Sequence, residues 1–186
     1  YAFGFIMLAR ALWKRPGLKT PAGLLVACAV AMVPLAIFGV QASFGIWPMP
    51  FGNPGDYGDY YDWINAGWLY MDLGTILAAA IALYLFPFPF IAAIMAMALW
   101  FMSMDLTPWV FGTKEFTWEM RQQVSLWFGV VLIAVAWGFD LRRWAAGDFA
   151  FWLHFAGVMA FWGAMTSMDG DSQLSKALYC LINVAM

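Results

Sequence analysis

Apolar residues form long uninterrupted runs along this chain, and short polar connections separate them. The clearest run covers residues 149–168, which lie between Asp148 and Asp169 and include no Asp, Glu, Lys or Arg. An α-helix needs about 20 apolar residues to cross the hydrocarbon core of a bilayer. Inside that core, a single segment satisfies its own backbone hydrogen bonds only as a helix. The run therefore predicts a transmembrane helix.

Four further runs have a comparable length, and a shorter run lies at each end of the chain. The predicted complete spans are residues 21–40, 67–86, 89–104, 118–139 and 149–168, with partial spans at 1–13 and 175–186. The predicted fold is all-α: a polytopic transmembrane helical bundle that forms a single domain over residues 1–186. Because neither terminal run is long enough to cross a membrane, we expect the natural chain to continue in both directions.

Proline and glycine mark where the predicted spans bend or end. Pro34 predicts a kink within the span 21–40. Gly and Pro recur within residues 41–65, so the pattern excludes a long helix there and allows only a short interfacial one. The motif FPFPF at residues 86–90 predicts a tight reversal, because a residue that precedes proline is disfavoured in a helix. The span 89–104 should stop at Asp105, and a loop that contains Pro108 should follow it.

Composition supports the assignment to a membrane. The chain is 65% apolar, 19% aromatic and 11% charged, whereas soluble domains are about 25% charged. Its mean hydropathy is +0.76. The formal net charge is −2 and no block of basic residues is present, so we expect no nucleic-acid partner. Cys28 and Cys180 both lie within apolar runs and are interpreted as small hydrophobic residues.

The distribution of charge predicts the orientation of the chain in the membrane. Alternate connections collect most of the basic residues: Arg10, Lys14, Arg15, Lys19, Arg142 and Arg143. The remaining connections are rich in Asp and Glu. Because Lys and Arg concentrate on the cytoplasmic side, loops 10–20 and 140–148 are predicted to be cytoplasmic and loop 41–66 periplasmic. Tryptophans gather at both boundaries of the predicted spans, as expected at membrane interfaces.

Two ionisable residues lie inside predicted spans, where such a group is a candidate functional residue. His154, the only histidine, lies in the span 149–168. It lies either on a proton or substrate path, or in a hydrogen bond to a neighbouring helix near the cytoplasmic interface. Asp72 either faces a cavity or is an acid near a helix N-terminus, where the helix dipole favours it. The two residues are predicted at opposite depths, so we do not pair them.

One face of the span 149–168 carries small side chains, namely Ala156, Ala160, Gly163, Ala164 and Ser167. A stripe of this kind lets two helices approach each other closely. We expect this face to contact a neighbouring helix.

Charged residues also gather at the predicted outer ends of the spans. This outer cluster consists of Asp105, Glu119, Arg121, Asp169, Asp171 and Lys176. It is interpreted either as a cation site or as an ion-pair network. A metal site needs several convergent oxygen ligands, which the spacing of these residues does not indicate, so we predict no metal site.

No motif for a known catalytic or cofactor chemistry is present in the sequence. The motifs GxSxG, HExxH and CxxC, a phosphate-binding P-loop and a dinucleotide fingerprint are all absent. A single histidine excludes a haem with two histidine ligands. The 13 methionines are scattered through apolar runs and are interpreted as packing residues. We therefore predict no catalytic residue and no cofactor.

Several aromatic strings in the C-terminal third resemble a known family. They are RxxVSLWFG at 121–129, DLR at 140–142, DFAFWLHFxG at 148–157, AFWG at 160–163 and LYCLIN at 178–183. Together they resemble uncharacterised bacterial multi-spanning inner-membrane proteins with a domain of unknown function. The resemblance implies a bacterial inner (cytoplasmic) membrane and further spans beyond residue 186. It supplies no activity and no site residues.

Three functional hypotheses follow from the sequence. The leading one is a non-enzymatic membrane protein, either a subunit of a larger assembly or the membrane domain of a sensor, whose partners are the lipid bilayer and other membrane-protein subunits. The second is a transporter or channel with Asp72 or His154 on its path. The third is an intramembrane enzyme with its active site in the outer cluster.

Overall fold

The structure of the protein, a computed structural model, describes residues 1–46, 57–111, 118–142 and 148–167, together with the single positions 177 and 181. Every regular element in these ranges is an α-helix. The helices are α1 (Ala2–Trp13), α2 (Lys19–Ala31), α3 (Val33–Ser43), α4 (Tyr57–Leu85), α5 (Phe90–Phe111), α6 (Trp118–Arg142) and α7 (Phe149–Ser167). The predicted all-α fold is confirmed. The partial span predicted at 175–186 falls almost entirely outside the described residues.

Five helical segments are long and apolar enough to cross a membrane. They are Lys19–Ser43, Gly67–Leu85, Phe90–Thr107, Glu119–Leu141 and Phe149–Ser167. The first combines α2 and α3, and α1 is a shorter apolar helix of 12 residues. The five complete spans predicted from the sequence are therefore present, and the chain has the architecture of a multi-pass membrane protein.

The span made of α2 and α3 is interrupted at Met32. Pro34 lies in the first turn of α3, where a missing N–H leaves no intrahelical hydrogen bond unmade. This interruption lies two residues before Pro34, in the segment where the sequence predicts a kink.

Two helices are longer than the sequence predicts. α4 begins at Tyr57, so the exclusion of a long helix from residues 41–65 is wrong for the second part of that segment. A glycine costs a helix only about 1 kcal/mol, and no proline lies between Pro54 and the end of α4. α5 continues through Asp105 and Pro108 to Phe111, so the predicted stop at Asp105 is also wrong. A proline near the end of a helix removes a single backbone hydrogen bond.

The helices pack in two groups that share α5. Buried residues of α1, α2, α4 and α5 meet around Ile91. Residues of α5, α6 and α7 meet around Ala136. α4 and α5 form an antiparallel hairpin whose turn lies at residues 86–89, and Trp13 packs edge-on against Phe86 at that turn, with ring centroids 5.3 Å apart. Consecutive spans run in opposite directions. The start of α5 therefore lies at the same end of the bundle as Lys19, and the end of α5 lies at the end that carries Arg121.

α6 and α7 approach each other through glycines. A Cβ atom added at Gly129 would lie 2.6 Å from the backbone N of Phe161 and 2.7 Å from the backbone O of Gly157, so a larger residue fits only if the two helices move apart. The predicted stripe is buried only in part. Ala160 and Ala164 are buried, but a Cβ added at Gly163 would have no neighbour within 4 Å. The close helix contact at Gly157 therefore lies on the same buried face of α7 as Ala160 and Ala164.

Candidate functional site

The α4–α5 hairpin brings two acidic residues to one level within the spans. Asp72 lies thirteen residues before the end of α4 at Leu85, and Asp105 lies fifteen residues after the start of α5 at Phe90. At 1.5 Å per helical residue, both lie about 20 Å from the turn. Since α4 and α5 pack against each other as antiparallel neighbours, the hairpin brings the two carboxylates to the same level of the bundle. We call them the carboxylate pair.

A third charged residue joins the carboxylate pair from α6. Asp72 and Asp105 are close enough for their negative charges to repel each other, and Arg121 is close enough to attract Asp105. Three helices therefore contribute one ionisable side chain each. The sequence analysis treats Asp72 as an ionisable residue inside a span and assigns Asp105 and Arg121 to the outer cluster. The structure combines them into one site.

Each member of the carboxylate pair keeps one buried oxygen without a hydrogen-bond donor. These atoms are Oδ2 of Asp72 and Oδ2 of Asp105. The neighbouring hydroxyls of Thr75 and Thr107 do not supply the missing donors, because each donates to a backbone carbonyl of its own helix at 2.6 Å. A buried acceptor that lacks a partner costs about 1–3 kcal/mol, and more when it is charged. The site is thus suited to a positively charged ligand.

The rest of the outer cluster is only partly visible. Glu119 is exposed on α6. Asp169, Asp171 and Lys176 lie outside the described residues. Within the described part of the chain, no group of three or more His, Cys, Asp or Glu side chains is arranged to hold a metal ion.

Buried polar side chains join the helices at the same end of the bundle, and the sequence analysis did not single them out. Trp100 Nε1 on α5 donates to Ser125 Oγ on α6 at 3.0 Å, and Gln122 Nε2 on α6 donates to the backbone O of Ser167 on α7. Gln41 of α3 donates to a backbone carbonyl of α4 at 3.3 Å. Such interhelical hydrogen bonds stabilise membrane bundles. In the sequence they are isolated polar residues within apolar runs. Their hydrogen-bond partners lie in distant segments, so the sequence does not pair them.

His154 belongs to α7 and lies at the end of the bundle opposite the carboxylate pair, where its side chain contacts α6. Its Nε2 lies 3.1 Å from Oδ2 of Asp140, and the two side chains are 30% and 54% exposed, respectively. This contact agrees with the interpretation of His154 as a residue that bonds to a neighbouring helix. Asp140 was expected in a loop after residue 139, but α6 extends to Arg142 and includes it.

Comparison with known proteins adds no further assignment. No family model matches this chain, and no curated protein and no solved structure is significantly similar to it. The resemblance of the C-terminal strings to bacterial inner-membrane proteins stays a prediction, and the function has to be inferred from the site itself.

Proposed function

We propose that this protein binds and transports a proton or a monovalent cation at the carboxylate pair, Asp72 and Asp105. The observation that carries the proposal is the presence of two buried carboxylate oxygens without donors on adjacent spans. Ionisable groups inside membrane spans are costly, and they mark ion and proton pathways. One positive charge held between the two carboxylates satisfies both acceptors and cancels their mutual repulsion.

The ligand set favours a singly charged ion over a divalent metal. Ca²⁺ takes six to eight oxygen ligands, and Mg²⁺ requires six in octahedral geometry. Two carboxylates on neighbouring helices are a small set by comparison, and the positive charge of Arg121 beside Asp105 disfavours a doubly charged ion. Arg121 also offers Asp105 an alternative partner, so a cation that binds at Asp105 has to compete with the guanidinium group. The site therefore has two arrangements: in one, Asp105 holds the cation, and in the other, Asp105 faces Arg121.

The carboxylate pair lies near one boundary of the apolar segments. Asp105 is two residues from the end of the Phe90–Thr107 span, and Asp72 is five residues from the start of the Gly67–Leu85 span. The second interval corresponds to about 8 Å of helix. A cation therefore reaches the pair over a short distance from that side of the membrane.

We further propose that this boundary faces the periplasm of a bacterial inner membrane. The support is the excess of Lys and Arg in loops 10–20 and 140–148, which places those loops in the cytoplasm by the positive-inside rule. In this orientation, loop 41–66 is periplasmic and His154 lies near the cytoplasmic interface.

Ion uptake into proteoliposomes tests the proposal. The purified protein is reconstituted in liposomes, and uptake is followed after an imposed pH gradient with an entrapped pH-sensitive dye and, separately, with ²²Na⁺. We expect Asp72→Asn and Asp105→Asn each to abolish uptake. Asp148→Asn makes the same charge change at an exposed carboxylate outside the spans, and it should leave uptake intact. Unchanged uptake in both pair variants, or no uptake of either ion by the unaltered protein, would show that the proposal is wrong.

A second candidate, the membrane subunit expected from the sequence, is favoured by one face of α7. Phe151, Phe155, Met159 and Trp162 are between 45% and 57% exposed. Their spacing of four, four and three residues puts them on one helix face, and aromatic residues and Met are enriched at protein interfaces. Extraction from native membranes in a mild detergent tests this candidate. Stoichiometric co-purification of a second membrane protein supports it, whereas a solitary monodisperse chain argues against it.

A further inference from the structure

A groove runs between α5, α6 and α7. Its inner part has a volume of about 280 Å³ and is lined by Ala, Met, Phe and Trp side chains alone. Its outer part, of about 330 Å³, extends toward the end of the bundle that carries Arg121. Because Trp100 and Met159 line both parts, the two cavities are one continuous groove. Mostly apolar pockets of about 300–1,000 Å³ with a few well-placed polar groups are typical of small-molecule sites in proteins.

One polar group in this groove, the hydroxyl of Ser125, has an unused hydrogen-bond donor. Ser125 lines the outer part of the groove and is only 4% exposed. Its Oγ accepts from Trp100 Nε1 at 3.0 Å, but among the residues that the structure describes no acceptor receives its own proton. By contrast, several other hydroxyls of the spans donate to a backbone carbonyl of their own helix, namely those of Thr75, Ser103, Thr107, Thr166 and Ser167. Because a buried donor without an acceptor is unfavourable, Ser125 favours a ligand that brings an acceptor into the groove.

The Ser125 hydroxyl lies at a depth that belongs to the apolar part of the membrane. Ser125 is six residues after the start of the Glu119–Leu141 span, and Trp100 is seven residues before the end of the Phe90–Thr107 span. At 1.5 Å per helical residue, both positions are about 10 Å from the boundary of the apolar segments. The headgroup and interfacial regions of phospholipids lie outside the hydrocarbon core. An acceptor that reaches Ser125 therefore belongs to a ligand whose polar group enters that core.

The surroundings of this hydroxyl favour an uncharged, flat head group. Arg121 at the outer end of the groove lies beside Asp105, so the groove offers no free charge to an ionic head group. Its inner part presents the aromatic rings of Trp100, Phe128 and Phe155. Aromatic side chains pack favourably against the face or the edge of another flat ring.

The groove opens sideways into the membrane. Met97, Phe155 and Met159 line its inner part and are each about half exposed. Because all three lie within apolar spans, this opening faces acyl chains. It gives an apolar tail a way out of the groove.

We propose that the groove binds an isoprenoid quinone from the membrane, with a ring carbonyl that accepts a hydrogen bond from Ser125 and a tail that leaves between α5 and α7. A quinone combines the properties that the groove favours: an uncharged carbonyl acceptor, a flat ring and a long apolar tail. The proposal concerns binding alone. It does not depend on cation transport by the carboxylate pair.

Calorimetric titration of the purified protein in detergent tests the role of Ser125. The probes are a benzoquinone with a short isoprenoid tail and the matching compound in which a benzene ring replaces the quinone ring. We expect the quinone to bind about tenfold more tightly, because only the quinone accepts the hydrogen bond from Ser125. Ser125→Ala should remove this preference. Ser103→Ala deletes a hydroxyl that already donates to its own helix, and it should keep the preference.

The ratio of the two affinities separates a contact with the quinone from a purely structural role of Ser125. Ser125→Ala also removes the acceptor of Trp100, but a change in packing acts on both probes alike. The ratio therefore responds only to the carbonyl group. Equal binding of the two probes by the unaltered protein, or an unchanged preference in Ser125→Ala, would overturn the proposal.

The quinone content of protein purified from its native membrane tests whether the groove is occupied there. The protein is isolated in a mild detergent and extracted with organic solvent, and the quinone is measured by ultraviolet absorbance after chromatography. We expect a single quinone per chain. Ala156→Leu fills the inner part of the groove and should lose the quinone, whereas Ala134→Leu adds the same volume at an exposed position of α6 and should retain it. Absence of quinone from the unaltered protein, or equal content in the two variants, would contradict the proposal.

Discussion

The contact between α6 and α7 allows a stability prediction that compares two glycines on one helix. In Gly129→Ala the new Cβ atom lies 2.6 Å from the N of Phe161 and 2.7 Å from the O of Gly157. Ordinary van der Waals contact begins at about 3.4 Å. Both neighbouring atoms are backbone, so no side-chain rotation relieves the overlap. We expect α6 and α7 to move apart by about 0.7–0.8 Å, which is the shortfall from ordinary contact distances.

The magnitude follows from a comparison with Gly138→Ala. Gly138 lies on α6 as well, and a Cβ atom there has no neighbour within 4 Å. Both substitutions gain the same helix propensity, about 0.5–1 kcal/mol. The difference between the two variants is therefore the cost of overpacking, which is about 1–3 kcal/mol. Gly129→Ala should be less stable than the unaltered protein by about 1–2 kcal/mol, and Gly138→Ala should be slightly more stable.

Unfolding in mixed micelles measures this difference. The fraction of sodium dodecyl sulfate is raised stepwise, and tryptophan fluorescence and circular dichroism report the loss of tertiary contact and of helix. The midpoint for Gly129→Ala should lie below that of the unaltered protein, and the midpoint for Gly138→Ala at or above it. If the two variants unfold at the same detergent fraction, the backbones of α6 and α7 are not in contact at Gly129.

Three further predictions use the same preparation. His154→Ala removes a partly exposed contact with Asp140, so it should change the free energy of unfolding by less than about 1 kcal/mol and leave ion uptake intact; a loss of uptake would place His154 on the path. Trp100→Phe leaves the buried Ser125 without its donor and should cost about 1 kcal/mol. The double variant with Ser125→Ala should recover part of that cost, and no recovery would contradict the hydrogen bond. For orientation, a cysteine at Leu18 should react with a membrane-impermeant thiol reagent only after the cells are permeabilised, whereas one at Ser43 should react from the periplasm; the reverse pattern would invert the proposed topology.

The existence of the spans follows from the sequence, because the length of an apolar run corresponds directly to the thickness of the bilayer. The ends of the helices do not follow as closely. α4 begins ten residues before the predicted span, because turn-forming residues such as Gly58 and Asn65 cost a helix too little to end it. α5 passes through Asp105 and Pro108, whereas the acidic residue and the proline together predict a loop.

The carboxylate pair shows what sequence reasoning missed and what signal it contained. The FPFPF reversal and the nearly equal spacing of Asp72 and Asp105 from it predict that the two residues lie at the same level of the bundle. Because the span 89–104 is predicted to end before Asp105, Asp105 is assigned to a loop, and its correspondence with Asp72 is missed. The approach of Arg121 depends on how α6 packs against α5, which hydropathy does not specify. The same limit applies to the contact at Gly129 and Gly157. The helical period predicts which residues share a face of one helix, but it does not predict which other helix packs against that face.

Joint action of Asp72 and Asp105 is the central claim, and a double-mutant cycle of unfolding free energies tests it whichever ion the site binds. Asp72→Asn, Asp105→Asn and the double variant are unfolded in mixed micelles beside the unaltered protein. Two carboxylates that interact directly should give a double variant that departs from the sum of the single effects by more than about 0.5 kcal/mol. Additivity within about 0.3–0.5 kcal/mol is the behaviour of residues more than about 7–10 Å apart, and it would contradict a shared site.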